Sequence, residues 1–139
     1  MKIFTSCACS GLFALLLSTS AIAEPTRLAL NPGFRPDPTE ESGRSGGTIA
    51  SECGNIAEEA NYELTLDLAF DYLRISAVAG GDITLYLEYP DGRKECYDDE
   101  IDGQLPEVAG PFSAGTYQIW IGDRGNSTEY RLYFTEMPR

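Results

Sequence analysis

Histidine is absent from the 139 residues, and that gap removes more chemistry than any other feature of the chain. Without an imidazole, no Ser-His-Asp or Cys-His relay can be assembled, and no histidine-ligated zinc or iron site can be built. Lysine is nearly missing too. Beyond the first 23 residues only Lys94 remains, so a serine–lysine mechanism would rest on one turn residue. Glycine-rich phosphate loops of the P-loop or dinucleotide type do not occur. A carboxylate pair working as in glycoside hydrolysis would need a cleft that a domain this small can hardly spare. The expectation is a protein that is not an enzyme.

Long apolar runs are also lacking. The longest, Leu12 to Leu17, is too short to span a bilayer. It lies between Lys2 and the small-residue site Ala21-Ile22-Ala23, which makes residues 1–23 a signal peptide. Cys7 and Cys9 precede the apolar run and leave with it. The remaining 116 residues suffice for one domain. Losing Lys2 leaves 9 basic and 22 acidic side chains, a net charge of −13. Such a balance repels nucleic acid and anionic membrane surfaces and favours cationic partners or divalent metal. Most of these acids need do no more than keep the protein soluble. The expected address is the periplasm or the external medium, with no membrane span after cleavage.

Two cysteines stay with the processed chain, Cys53 and Cys96. In an oxidising compartment they are expected to form a disulfide. A bridge over that separation would remove about 4 kcal/mol of denatured-state entropy in the chain-entropy account.

No sustained helical period appears; Ile56 to Asn61 offers one or two turns at most. The chain alternates instead. Tyr62, Leu64, Leu66 and Leu68 are interleaved with polar residues, as are Leu73, Ile75 and Ala77, and then Ile83, Leu85 and Leu87. Tyr117, Ile119 and Ile121 repeat the pattern, followed by Tyr130, Leu132 and Phe134. This is the period of half-buried strands. Pro90-Asp91-Gly92 reverses the chain after the third run. With Thr48 to Ala50 and short pieces around Cys96 and Val108, about eight strands are expected. Two antiparallel sheets packed face to face bury such strands economically. Residues 48–139 are therefore assigned to an all-β sandwich. Its last two strands, Thr116 to Ile121 and Tyr130 to Thr135, are expected to form one hairpin. Residues 24–47 hold four prolines and four glycines without apolar period, and read as an extended arm pinned by Leu28, Leu30 and Phe34.

The runs GGDITLYLEYPDG, CYDD, GPFSAGTYQIWIGD and EYRLYFTE, in that order, resemble bacterial pre-peptidase C-terminal domains. Asp82, Thr84, Leu85, Pro90, Asp91, Gly92, Asp98, Asp99, Gly115, Thr116, Tyr117, Tyr130 and Leu132 stand where that family's recurring residues stand. The resemblance covers Tyr62 to Glu136, two-thirds of the processed chain. It implies a jelly-roll-like, non-catalytic sandwich of the kind appended to secreted proteases. Some relatives bind calcium, and those of clostridial collagenases bind collagen. With no peptidase domain in the sequence and two added cysteines, the expectation is a stand-alone secreted variant.

Two places could hold a ligand. In the acidic tip, Asp98, Glu100, Asp102 and Gly103 fall at positions 1, 3, 5 and 6 of a calcium loop, but position 12 is Ala109 and strands flank it. This is no EF-hand. A looser oxygen cage for calcium, the one candidate cofactor, would use Asp98, Asp99 and Asp102. Alternatively the Asp98-Asp99 pair caps the turn, or the tip is merely solvated. The second place is a set of outward aromatics, Trp120, Tyr86 and Tyr133, which strand parity puts opposite the core. They would suit a polysaccharide or an extracellular protein. The plainer account is cross-strand packing, for example Trp120 against Arg131, or cover by the arm. A separate secreted protease is the further partner that the resemblance suggests. Asn126-Ser127-Thr128 is a glycosylation sequon, silent in a bacterial setting.

Overall fold

A computed structural model describes residues 18, 21–98 and 105–139. Most of residues 1–23, and Asp99 and Asp102 of the acidic tip, lie outside the described residues. The described chain is all-β, with eleven strands. They are β1 (Thr26–Leu30), β2 (Thr39–Arg44), β3 (Ile49–Ser51), β4 (Gly54–Ile56), β5 (Tyr62–Leu66), β6 (Phe70–Ala79), β7 (Ile83–Glu88), β8 (Lys94–Tyr97), β9 (Glu107–Phe112), β10 (Gly115–Asp123) and β11 (Glu129–Thr135).

Two sheets form a jelly-roll-like sandwich, antiparallel except for the β1–β5 pair. In the seven-stranded sheet β10 is the spine, paired with β7 along one edge and with β5 and then β4 along the other. The second sheet has the order β2-β11-β6-β9. Side chains that alternate in sequence meet in the space between the layers. Leu64, Leu73, Ile75, Leu85, Leu87, Ile119, Ile121, Leu132 and Phe134 have essentially no solvent contact there. β7 and β8 form the expected hairpin, with Leu85 opposite Tyr97 and Tyr86 opposite Cys96. Gly92 donates to the Tyr89 carbonyl at 2.9 Å, and Gly92 adopts φ +86°, a conformation its lack of a β-carbon permits.

Four expectations are corrected. The strand count is eleven rather than about eight, because Gly54–Ile56 adds β4 beside β3 and because residues 24–47, besides being pinned by Leu28, Leu30 and Phe34, pair into the sheets. They supply β1, parallel to β5, and β2, antiparallel to β11. β2, TEESGR, has no apolar residue to reveal it; backbone pairing at a sheet edge needs none. The final two strands are not a hairpin: β10 and β11 lie in different sheets, so the chain crosses the sandwich between them. Leu68 leaves the alternation. β5 ends at Leu66, and Leu68 is 60% exposed in the following turn. The helical turn at Ile56 to Asn61 is absent, since the chain there runs from β4 into bends and then β5.

Candidate functional site

The disulfide joins Cys53 to Cys96 with Cα atoms 5.3 Å apart. Cys53 sits in the β3–β4 turn, where its amide donates to Ser51 Oγ at 3.0 Å. Cys96 lies on β8. The bridge therefore clamps the β3–β4 turn onto the outer face of β7 and β8. Beneath that clamp lie Trp120 and Tyr86, packed in a second, smaller core with Cys53, Ile56 and Ala60. Parity places both rings opposite the main core, as expected. Their exposure is corrected, for Trp120 and Tyr86 are buried. The cover is the clamped turn, not the N-terminal residues. Their rings meet at 5.8 Å, and the Tyr86 hydroxyl donates to Glu52 Oε1 at 3.1 Å. The cation over Trp120 is Lys94, 5.4 Å from the ring, rather than Arg131, which belongs to the other sheet. The indole N–H of Trp120 is buried without a hydrogen-bond partner among the described residues.

Tyr133, the third aromatic, lies half-buried on the outer face of the four-stranded sheet, so the three do not form one surface. Around it is a concavity of about 770 Å³, lined by Glu40, Arg44, Val78, Glu129, Arg131 and Tyr133 among others. Alternation along β2 and β11 puts charges of both signs on this face, alongside Val78 and Tyr133. Arg131 approaches Glu40 at 3.7 Å and Arg44 approaches Glu129 at 3.9 Å. The Tyr133 hydroxyl first, and Glu40 second, hold the Arg131 guanidinium still more firmly protonated than usual.

At the acidic tip, Asp98 is held by the guanidinium of Arg124. Arg124 also donates to the Glu52 carbonyl at 3.3 Å, which ties this end of β8 to the clamped turn. Whether Asp98 converges with Asp99 and Asp102 falls outside the described residues.

One residue escaped the sequence reading. Asp123 follows Tyr117, Ile119 and Ile121 at the same parity, so an acid ends the inward-facing row of β10, opposite Ile83. It is 3% exposed. The β2–β3 crossover passes over it, with the Gly46 amide donating to the Ile121 carbonyl at 2.8 Å. That signal, an aspartate two residues past an apolar alternation, was there to be read.

No protein-family model matches the chain. Among solved structures, the fold is similar to the pre-peptidase C-terminal domain of collagenase from Bacillus anthracis. The TM-score is 0.53 at 14% identity, covering 80% of this chain and 96% of that one. A periplasmic inhibitor of g-type lysozyme from Aeromonas hydrophila aligns at a TM-score of 0.44 and 11% identity, over 81% of this chain and 98% of that one. No helix among the described residues is long and apolar enough to cross a membrane. In sequence, 96 residues are 41% identical to an uncharacterized protein of Synechococcus elongatus, spanning 66% of this chain and 70% of that protein, and the chain belongs to the same family as that protein.

Proposed function

We propose that the chain is an exported, non-catalytic β-sandwich module that binds a protein partner through the outer face of its four-stranded sheet. The observation that supports this is the open concavity around Arg131 and Tyr133, where both signs of charge stand on a rigid sheet. A mixed-charge face suits a polypeptide, which offers both signs in return. A polysaccharide would need stacking rings, and two of the three aromatics are covered. A secreted protease is the partner class suggested by the family resemblance, and the collagenase domain of similar fold supports the same reading. Calcium at Asp98, Asp99 and Asp102 belongs to this reading as a stabilising ion, in competition with Arg124 for Asp98.

Quantitative pull-down from exported-protein extracts, with the parent and an Arg131→Glu/Tyr133→Ala variant of unchanged melting temperature, tests the reading. The expected result is a partner retained by the parent and lost by the variant. Equal retention by both would remove this face from the account.

A further inference from the structure

We infer that Asp123 is a receptor carboxylate for a cationic nitrogen group, the guanidinium or ammonium of a basic side chain presented by a protein partner. The second concavity, about 470 Å³, opens above it and is lined by Ser45, Gly46, Gly47, Asn55, Asn126 and Ser127. Asp123 is almost wholly buried, yet among the described residues no hydrogen bond or ion pair reaches its carboxylate. Its carboxylate oxygens keep access to that concavity, so water or a cationic ligand, rather than another side chain, completes them.

The surroundings are built to keep that carboxylate open. Ser45 is bonded to the 127–128 segment: its Oγ accepts from the Thr128 amide at 2.9 Å, its amide donates to the Thr128 carbonyl at 2.9 Å and its carbonyl accepts from Ser127 Oγ at 2.7 Å. These bonds pin the crossover to the 127–128 segment and leave the carboxylate out. At Gly46, with φ +80°, a β-carbon would collide with Asp123 Oδ2, so only glycine lets the crossover pass this close. Arg44 at the rim is directed elsewhere, toward Glu129 at 3.9 Å and the Ser127 carbonyl at 3.5 Å.

The ligand class follows from the donor set. No three carboxylate or cysteine side chains converge among the described residues, whereas calcium takes six to eight oxygens. One carboxylate with neutral amide and carbonyl acceptors around it matches a singly charged group carrying several N–H donors. The net charge of −12 draws such a group in. This site adjoins the ligand face proposed above, sharing Arg44 with it, and Arg131 tests that face separately.

The experiment is titration of the isotopically labelled protein with methylguanidinium, methylammonium and, separately, calcium, followed by amide NMR. Saturable shifts of the amides of residues 45–47 and 123–127 are expected with an organic cation. Asp123→Asn should weaken that binding at least tenfold while keeping the parent melting temperature, because no hydrogen bond or ion pair of the fold is lost. Asp123→Ser serves as the second variant, and Arg131→Glu should bind like the parent. Absence of saturable shifts, equal affinity in Asp123→Asn, or response to calcium alone would overturn the assignment. A fall in melting temperature in both Asp123 variants would do the same, since it would mean the carboxylate holds the fold together.

Discussion

The hydroxyl of Tyr130 donates to that of Tyr62 at 2.9 Å, and the two rings meet edge to face with centroids 6.5 Å apart. Tyr130 belongs to β11 and Tyr62 to β5, so a polar stitch crosses between the sheets inside an apolar core. Tyr62 passes the chain on to the Ser42 carbonyl at 3.4 Å. Burial, and then the bond to Tyr62, push the Tyr130 phenol well above its ordinary value of 10.0. Burial raises Tyr62 as well.

Tyr130→Phe is expected to lower stability by about 1 kcal/mol in urea unfolding, the net worth of one buried hydrogen bond. The pH dependence has a definite sign. In the unfolded chain the phenol ionises near pH 10, whereas in the fold it stays protonated, so stability is whole below pH 10 and declines above it. Removing this one titrating group should make that alkaline decline shallower by about 1.4 kcal/mol per pH unit. An unchanged slope would show that the phenol ionises equally in both states.

Replacing both cysteines by serine should cost about 4 kcal/mol, since a separation of 43 residues closes a long loop in the unfolded chain. Because the bridge clamps the cover over Trp120, fluorescence should report it. The double variant, or the reduced parent, is expected to emit to the red of the oxidised protein before global unfolding. Emission that changes only with global unfolding would show that the cover stands without its sulfur link.

Leu85 and Leu68 make a matched pair. Leu85→Ala should destabilise by about 2–5 kcal/mol, with loss of transfer energy and a residual cavity. Leu68→Ala, 60% exposed in its turn, should stay within about 0.5 kcal/mol of the parent. Denaturant midpoints distinguish the two directly.

Much of this was legible in the chain. The alternation of Ile83, Leu85 and Leu87, and of Tyr117, Ile119 and Ile121, gave both the strands and the side that faces inward. What periodicity reports is a direction, and it says nothing of what lies in that direction. Trp120 and Tyr86 do point away from the main core, yet a turn held by Cys53 lies over them. β2 could not be read, because TEESGR owes its strand to hydrogen bonds with β11 rather than to any apolar residue. The hairpin expected of β10 and β11 failed for a related reason: a short connection fixes neighbours in sequence, while sheet membership depends on all the other strands. Asp123 was passed over because the eye stops where the apolar row stops.

Arg131→Ala should leave the melting temperature nearly unchanged, since its pairing with Glu40 is solvent-exposed, with side chains 66% and 48% accessible. Loss of partner retention without loss of stability is the pattern that separates a binding arginine from a structural one. A large drop in stability would make Arg131 a structural residue.

Arg124→Ala releases Asp98 from its guanidinium partner. If Asp98 ligates calcium, millimolar calcium should raise the melting temperature more in this variant than in the parent. Equal shifts, or none, would exclude Asp98 from any ion site at the tip.

The four-stranded sheet places β11 between β2 and β6, so its middle is filled by the eleventh strand to be made. Until those residues emerge, β2 and β6 have nothing to join them. Closure is therefore a late, all-at-once event with costly long loops, expected on millisecond-to-second rather than microsecond timescales. Such a polypeptide cannot close its second layer before the eleventh strand has been made.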